Sequence, residues 1–531
     1  MLARCKTAAL QGLEARPVLV EVDLAPGLPG LQLVGLADAA VQEARERVRS
    51  AIRHSSLKVP LTRVVVNLAP ADLRKEGPAF DLPIALGLLL ASGQLDAASN
   101  NEIWSAGELG LDGSLRPIRG VLAIAIAARN HGARALVVPQ ANAWEAALVE
   151  GLRVWGAADL GQALWRLQHP RARPAAPARA RATATAIAPA PALKQANAPI
   201  TARPAAEDLA DVKGQPHGRR ALEIAAAGGH HLLLCGPPGS GKTMLAQRLA
   251  GLLPPLDPAE ALELTAVHSV AGLLDSSQGL LQTRPFRCPH HSCSGPGLIG
   301  GGGQPRPGEL ALAHHGVLFL DELAEFRRSV LDQLRQPLED GEVWIHRARQ
   351  RTRFPCRITL VAAANPCPCG WFGDPERSCS CGEGQRRRYW GRLSGPLLDR
   401  IDLQVVMRRP SSSALTAPFR DQGGSPASDE SSAEVRARVR RARAHMAARN
   451  PGGCCNSRIA GGQLQQVLQL ESEALEVWEA AIQHRQLSAR AGARLLRVAQ
   501  TIADLNDQAS IGATAIAEAL TYRSFDQGVS R

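Results

Sequence analysis

Two periods alternate along the first 165 residues. VLVEVDLA (18–25), LQLVGLA (31–37), TRVVVNLAP (62–70) and ARALVVP (133–139) are apolar or alternating runs of strand length. Asp38 to Ser55 carries apolar residues at helical spacing, FDLPIALGLLLAS (80–92) reads as a buried helix, and a further helical run opens at Ala143. This alternation predicts an α/β or α+β module over 1–165 with a continuous core. Residues 166–206 lose all periodicity. Ala, Pro, Arg and Thr dominate there; such a stretch buries too little apolar surface to offset its ordering entropy and predicts an extended, PPII-like linker. Apolar strands return over 207–410. A second polar stretch, 411–432, leads to a module over 433–531 with strong helical period: Val435, Val439 and Ala442, then Leu495, Leu496, Ala499, Ile502 and Leu505. The pattern is that of an α/β multidomain protein ending in helices.

Composition changes this picture only in part. The 531 residues exceed one hydrophobic core, and 45% apolar with 21% charged residues is globular composition. No apolar run reaches the roughly 20 residues of a membrane helix. The N-terminus lacks a basic-then-apolar signal, which predicts a cytoplasmic location and no membrane partner. The net charge of +12 invites a nucleic-acid reading, yet Arg166, Arg171, Arg173, Arg179, Arg181, Lys194 and Arg203 place much of it in the linker. Aromatic residues at 3% argue against a base-stacking platform, so any nucleic acid would be gripped mainly through phosphates. Eleven cysteines, an odd number, point to reduced thiols or metal rather than a disulfide framework.

Gly236, Pro237, Pro238, Gly239, Ser240, Gly241, Lys242 and Thr243 match G-x-x-x-x-G-K-[ST] without a gap. HLLLC (231–235) before them is strand-like, and MLAQRLAGLL (244–253) after them is helical. Glycines let the backbone aim its N–H groups at phosphates at a helix N-terminus. Lys242 would neutralise the β- and γ-phosphates, and the Thr243 hydroxyl would hold Mg2+. GVLFLDE (316–322) is an apolar strand ending in two carboxylates. Asp321 suits a water-mediated Mg2+ contact, and Glu322 is placed to polarise the attacking water. Alone, each motif has a bland reading as a turn or a strand cap; together they specify ATP hydrolysis. Asn365 ends the strand TLVAAAN (359–365), where ligands of open α/β sheets bind, a plain strand-end turn being the alternative. Arg400 and Arg490 are candidates to meet transition-state charge, although spacing alone does not select them.

Cys367, Cys369, Cys379 and Cys381 offer four thiolates for a structural zinc ion, with reduced thiols as the alternative. Cys288, His290, His291 and Cys293 form a weaker cluster, better read as a loop or subunit contact. EVWIHRARQRTRFP (342–355) has apolar flanks and a basic centre, the pattern of a β-hairpin with arginines at its tip, either to track phosphates or as a plain solvated hairpin.

These motifs, together with VAAANPCPCG, SGPLLDRIDL, RPFRCPHH and PRPGELALAHHGVLFLDEL, resemble those of the magnesium-chelatase-like AAA+ ATPases, and more narrowly the ComM/YifB competence-related family, over nearly the whole chain. The resemblance implies an AAA+ αβα core, a helical lid and a homo-oligomeric ring, a hexamer, with sites shared between subunits. It makes Asn365 the sensor-1 residue, Arg400 a finger supplied in trans and Arg490 the sensor-2 residue. It directs the hairpin into the ring's pore, with Arg347, Arg349 and Arg351 as DNA contacts. It also implies helicase activity that promotes branch migration of DNA during natural transformation. The N-terminal module resembles the S5-like proteolytic domain of Lon-type proteases around KEGPAF (75–80). Ala79 stands where those carry serine, and the dyad lysine would fall near Leu122, so no peptidase activity is expected. A chelatase-type motor subunit for metal insertion and a protein remodeller or scaffold are the competing functions.

Overall fold

The computed structural model describes residues 2–96, 102–169, 208–274, 279–302, 305–347, 350–410 and 430–524, and at 347 and 350 the backbone alone. Most of both expected linkers, and Arg349, lie outside the described residues. The N-terminal strands are β1 (Leu2–Gln11), β2 (Glu14–Ala25), β3 (Gly30–Val34), β4 (Arg63–Ala69), β5 (Ile103–Ser105), β6 (Glu108–Leu109), β7 (Leu115–Arg116), β8 (Ala135–Pro139) and β9 (Arg153–Ala157). Among the described residues, seven of them form one mixed sheet in the order β3–β4–β2–β1–β5–β8–β9. Strand alternation sorts the side chains into two cores. Cys5, Ala9, Ala135 and Val137 join the core beneath the helices Ala39–His54 and Asp81–Ala91, whereas Ala8, Leu136 and Val138 join Val121–Asn130 on the other face. Asp38 caps its helix by accepting from the Val41 N–H at 2.9 Å, and all eleven residues of Asp81–Ala91 are buried.

Three details depart from the sequence reading. β1 was not expected. The helix Leu160–Gln168 runs three residues into the expected linker. The helical run from Ala143 is a single turn, Ala143–Ala146; Gly151 at φ +82° then turns the chain into β9.

The second sheet is built from β10 (Leu232–Cys235), β11 (Phe286–Arg287), β14 (Val317–Leu320), β17 (Thr359–Ala364) and β18 (Leu403–Val406), in the order β11–β14–β17–β10–β18, with every pair parallel. Between them lie two short hairpins, β12 (Gly300–Gly301) with β13 (Arg306–Pro307), and β15 (Glu342–Arg347) with β16 (Gln350–Pro355). Central parallel strands are buried on both faces, which explains the continuous apolar runs LLLC, VLFL and TLVAAA.

The helices Ser432–Arg449, Ala489–Leu505 and Ala513–Thr521 pack onto one face of this sheet. Val435, Val439, Ala442, Leu495, Leu496, Ala499, Ile502 and Leu505 share a single apolar cluster with Leu232, Val361 and Val405. The Gln404 N–H donates to the Tyr522 carbonyl at 2.8 Å, so the end of the chain covers the free edge of β18. His230 is fully buried and ties the sheet to these helices, 2.8 Å from Thr501 Oγ1 and 3.3 Å from Asp402 Oδ2.

Among the described residues, the N-terminal module meets the second sheet's module at two places. Ser269 on the helix Pro258–Ala271 donates to the buried carboxylate of Glu145, and Leu262 and Ala266 of that helix pack against the Leu122 core. Farther away, the β1–β2 turn rests on β16, where a Cβ on Gly12 would stand 2.7 Å from the Thr352 methyl.

Candidate nucleotide site

The loop 236–241 leaves the C-terminal end of β10 and enters the helix Lys242–Leu252, which turns helix N–H groups towards the loop. Gly239 and Gly241 take φ of +78° and +87°. Gly236 is needed for a different reason: a Cβ there would stand 2.6 Å from the Met407 carbonyl oxygen. Gln215 braces the loop from behind, donating to the carbonyls of Ser240 at 3.0 Å and Arg408 at 2.6 Å.

Five functional residues, all following the C-terminal ends of the neighbouring strands β10, β14 and β17, gather here. Lys242 Nζ donates to the carbonyls of Gly236 (2.6 Å) and Pro237 (3.0 Å) and to Asn365 Oδ1 (3.2 Å). Burial pushes its pKa down. All three acceptors are neutral, so a phosphate oxygen, forming a charge-assisted bond, is the stronger partner. Thr243 Oγ1 donates to Asp321 Oδ2 at 3.0 Å, bringing the Mg2+ candidates together. The Glu322 backbone takes φ +50°, and its N–H donates to Asp321 Oδ1 at 2.9 Å. Its carboxylate lies 3.1 Å from His291 Nδ1. That contact was missed by the sequence reading. β11 runs parallel beside β14, with Arg287 opposite Leu318, so the loop that follows β11 lands beside the carboxylates that follow β14. No spacing in the sequence reveals which strands are neighbours.

Arg400 and Arg490 lie elsewhere. In the pairing of β18 with β10, Leu403 is opposite Leu232 and Val406 opposite Cys235. Arg400 thus precedes the N-terminal end of its strand, whereas the phosphate loop leaves the C-terminal end of β10. Strand rise of about 3.3 Å per residue separates these edges by roughly 13 Å. Both arginines pair with one carboxylate there: Glu339 is 2.6 Å from Arg400 Nη2 and 3.0 Å from Arg490 Nη2.

The four Sγ atoms of Cys367, Cys369, Cys379 and Cys381 lie within 4.8 Å of one another. Their donor set and spacing fit a tetrahedral thiophilic ion. In the hairpin, the Arg351 guanidinium sits 4.0 Å above the Trp344 ring, and Arg353 pairs with Glu342 at 3.0 Å. Glu263 lies 3.1 Å from His314 Nε2 and 2.9 Å from His315 Nε2. That trio is unsuited to metal, because His314 Nδ1 accepts the Arg357 N–H at 3.0 Å, which places its proton on Nε2.

Residues 208–415 match the family of magnesium chelatase, subunit ChlI; 20–142 match that of subunit ChlI of Mg-chelatase, and 429–523 its C-terminal family. The competence protein ComM of Haemophilus influenzae is 43% identical over 524 residues, 98% of this chain and 97% of ComM. YifB of Escherichia coli is 42% identical over 523 residues, with the same coverage. The chain belongs to the magnesium-chelatase-like ComM/YifB family.

A Mycobacterium tuberculosis relative is 44% identical over 525 residues, 98% of each chain. Membership of the ComM/YifB family implies ATP and Mg2+ as ligands. The geometry fits both, with Lys242 and the loop amides for the phosphates and Thr243 with Asp321 for the ion. Lon protease 2 of Bacillus subtilis is also similar, 29% identical over 176 residues, 30% of this chain and 31% of the protease. At the positions read as the dyad, Leu122 is fully buried and Ala79 packs against the same apolar cluster. Among the described residues no helix is long and apolar enough to cross a membrane.

Proposed function

We propose that this chain is a cytoplasmic, ring-forming ATPase that moves branched DNA, promoting branch migration of recombination intermediates. The observation that carries it is the separation of the site's parts. Phosphate-binding and acidic residues gather at one edge of the sheet, and Arg400 and Arg490 gather at the opposite edge. An arginine that meets transition-state charge must then come from a neighbouring subunit, which a closed hexameric ring supplies. In this reading Glu322 is the general base, Asn365 orients the attacking water, Arg400 and Arg490 act on the next subunit's nucleotide, and the C-terminal helices serve as the lid. The cysteine cluster holds a structural zinc ion, and the N-terminal module docks or organises without cleaving peptides. Support for DNA as the object comes from the competence protein in the family and from the basic hairpin, whose Arg347, Arg349 and Arg351 would track phosphates without reading sequence.

ATPase rates of the full chain without DNA, with linear duplex and with a four-way junction test this reading. Stimulation by branched DNA, accompanied by movement of the junction, is the expected result. No stimulation, together with unchanged DNA binding after Arg347, Arg349 and Arg351→Ala, would sink it. A demand for a second subunit with no DNA response would favour the chelatase-type motor.

A further inference from the structure

The cysteine cluster touches the phosphate loop. Cys367 follows β17 directly after Asn365 and Pro366. Its Sγ lies 3.3 Å from that of Cys369 and 3.6 Å from that of Cys379, and Cys369 and Cys379 are 3.5 Å apart. A zinc–thiolate bond of about 2.3 Å places tetrahedral sulfurs about 3.8 Å apart, whereas a disulfide brings them to about 2.0 Å. Backbone N–H groups already point at the sulfurs: Phe372 to Cys367, Cys369 to Cys381 and Cys381 to Cys379, each at 3.4 Å. Such donors stabilise thiolate charge and orient metal ligands. The knuckle is fastened outside as well. Arg386 donates to the Cys381 carbonyl at 2.8 Å while its guanidinium covers the Phe372 ring at 4.3 Å.

Two contacts lead inward from the knuckle. Gly370, at φ +85°, packs on the Pro238 ring so closely that a Cβ would stand 2.8 Å from Pro238 Cδ. On the same segment Asn365 accepts from Lys242, and the Ala364 carbonyl accepts the Gly236 N–H at 3.1 Å. The loop that holds phosphate is therefore pressed between the sheet and the knuckle.

Building on the zinc assignment above, we infer that metal occupancy of the knuckle sets the affinity of the nucleotide site, making it a thiol- and metal-sensitive control on ATP binding. Four thiolates on one ion fix the turn that carries Gly370. Without the ion, no cross-link ties Cys367 to Cys381, and both Pro238 and Asn365 lose a fixed neighbour. Thermodynamic coupling is reciprocal, so bound nucleotide raises the affinity for the ion by the same factor.

Two variants of the full chain separate the outcomes. The wild type and a Cys454→Ser control, its thiol packed against the C-terminal helical core, should carry one zinc ion per chain by elemental analysis, and Cys379→Ser/Cys381→Ser none. Affinity for a fluorescent ATP analogue should then fall by about 5- to 150-fold, the usual span of coupled sites. Gly370→Ala leaves all four thiols in place; it should keep zinc and still bind the analogue more weakly, and it carries the test if the double variant does not fold. Wild-type protein without zinc, its four thiols reacting as freely as in denatured chain, overturns the metal site and the coupling with it. Zinc present but analogue affinity unchanged in Gly370→Ala, and in the double variant if it folds, overturns the coupling and leaves the metal site standing.

Discussion

The Glu322 carboxylate, proposed above as the general base, is held 3.1 Å from His291. A carboxylate engaged in this contact must leave it to reach a water molecule, and an exposed pair of this kind contributes about 0.2–1 kcal/mol. His291→Ala should therefore raise basal ATP hydrolysis by up to about fivefold with unchanged ATP affinity; a slower variant would show that His291 positions the base rather than restraining it. Glu322→Gln should bind ATP and lose about 10²- to 10⁴-fold in turnover, and full turnover would remove its assigned role. His314 gives a pH prediction. It is fully buried and accepts a backbone N–H, and burial lowers its pKa from 6.5 to about 4. The folded state thus binds this proton less readily than the unfolded chain. Its contribution to stability is present above pH 6.5 and is lost as pH falls towards 4, on the order of 3 kcal/mol. His314→Gln should lower the melting temperature at neutral pH and flatten its decline over that window. Residues that act in one stretch of chain, such as Lys242 with Thr243 or Asp321 with Glu322, were legible in the sequence. His291, Glu339 and Gln215 were not, because each works across elements whose adjacency only the fold decides.

Elements divide in the same way. The strands LLLC, VLFL and TLVAAA announced themselves by unbroken apolar runs, since a parallel strand covered on both faces has no polar side to show. β1 hid because LARCKTAALQ is rich in alanine and poor in β-branched residues, and its place is fixed by ten residues paired with β2. The hairpin was legible from its apolar flanks, but what Arg351 rests on was not. It lies over Trp344, whose indole N–H is also 2.6 Å from Glu342. Trp344→Ala should therefore loosen the hairpin and reduce any stimulation by DNA, with the affinity for ATP unchanged. Equal loss of nucleotide affinity would mean that the hairpin supports the ATP site and not a separate one.

Across the whole molecule, composition separated the modules, yet it gave no sign that the C-terminal helices share one core with the central sheet. Helical period shows an apolar face and says nothing about what covers it. The shared Glu339 leads to a prediction at this scale. Chains with Arg400→Ala and chains with Glu322→Gln should each be inactive, and mixed rings should recover partial ATPase activity, because some interfaces then join an intact base to an intact arginine. Absence of recovery at every mixing ratio would count against sites shared between subunits. The turn at Gly12 has a practical consequence. The tip of a two-stranded hairpin is ordinarily where a chain tolerates an inserted tag or a new terminus. This one is moulded against Thr352 and Arg353 with no room for even a methyl group, so a label placed there would part the N-terminal module from the hairpin it rests on.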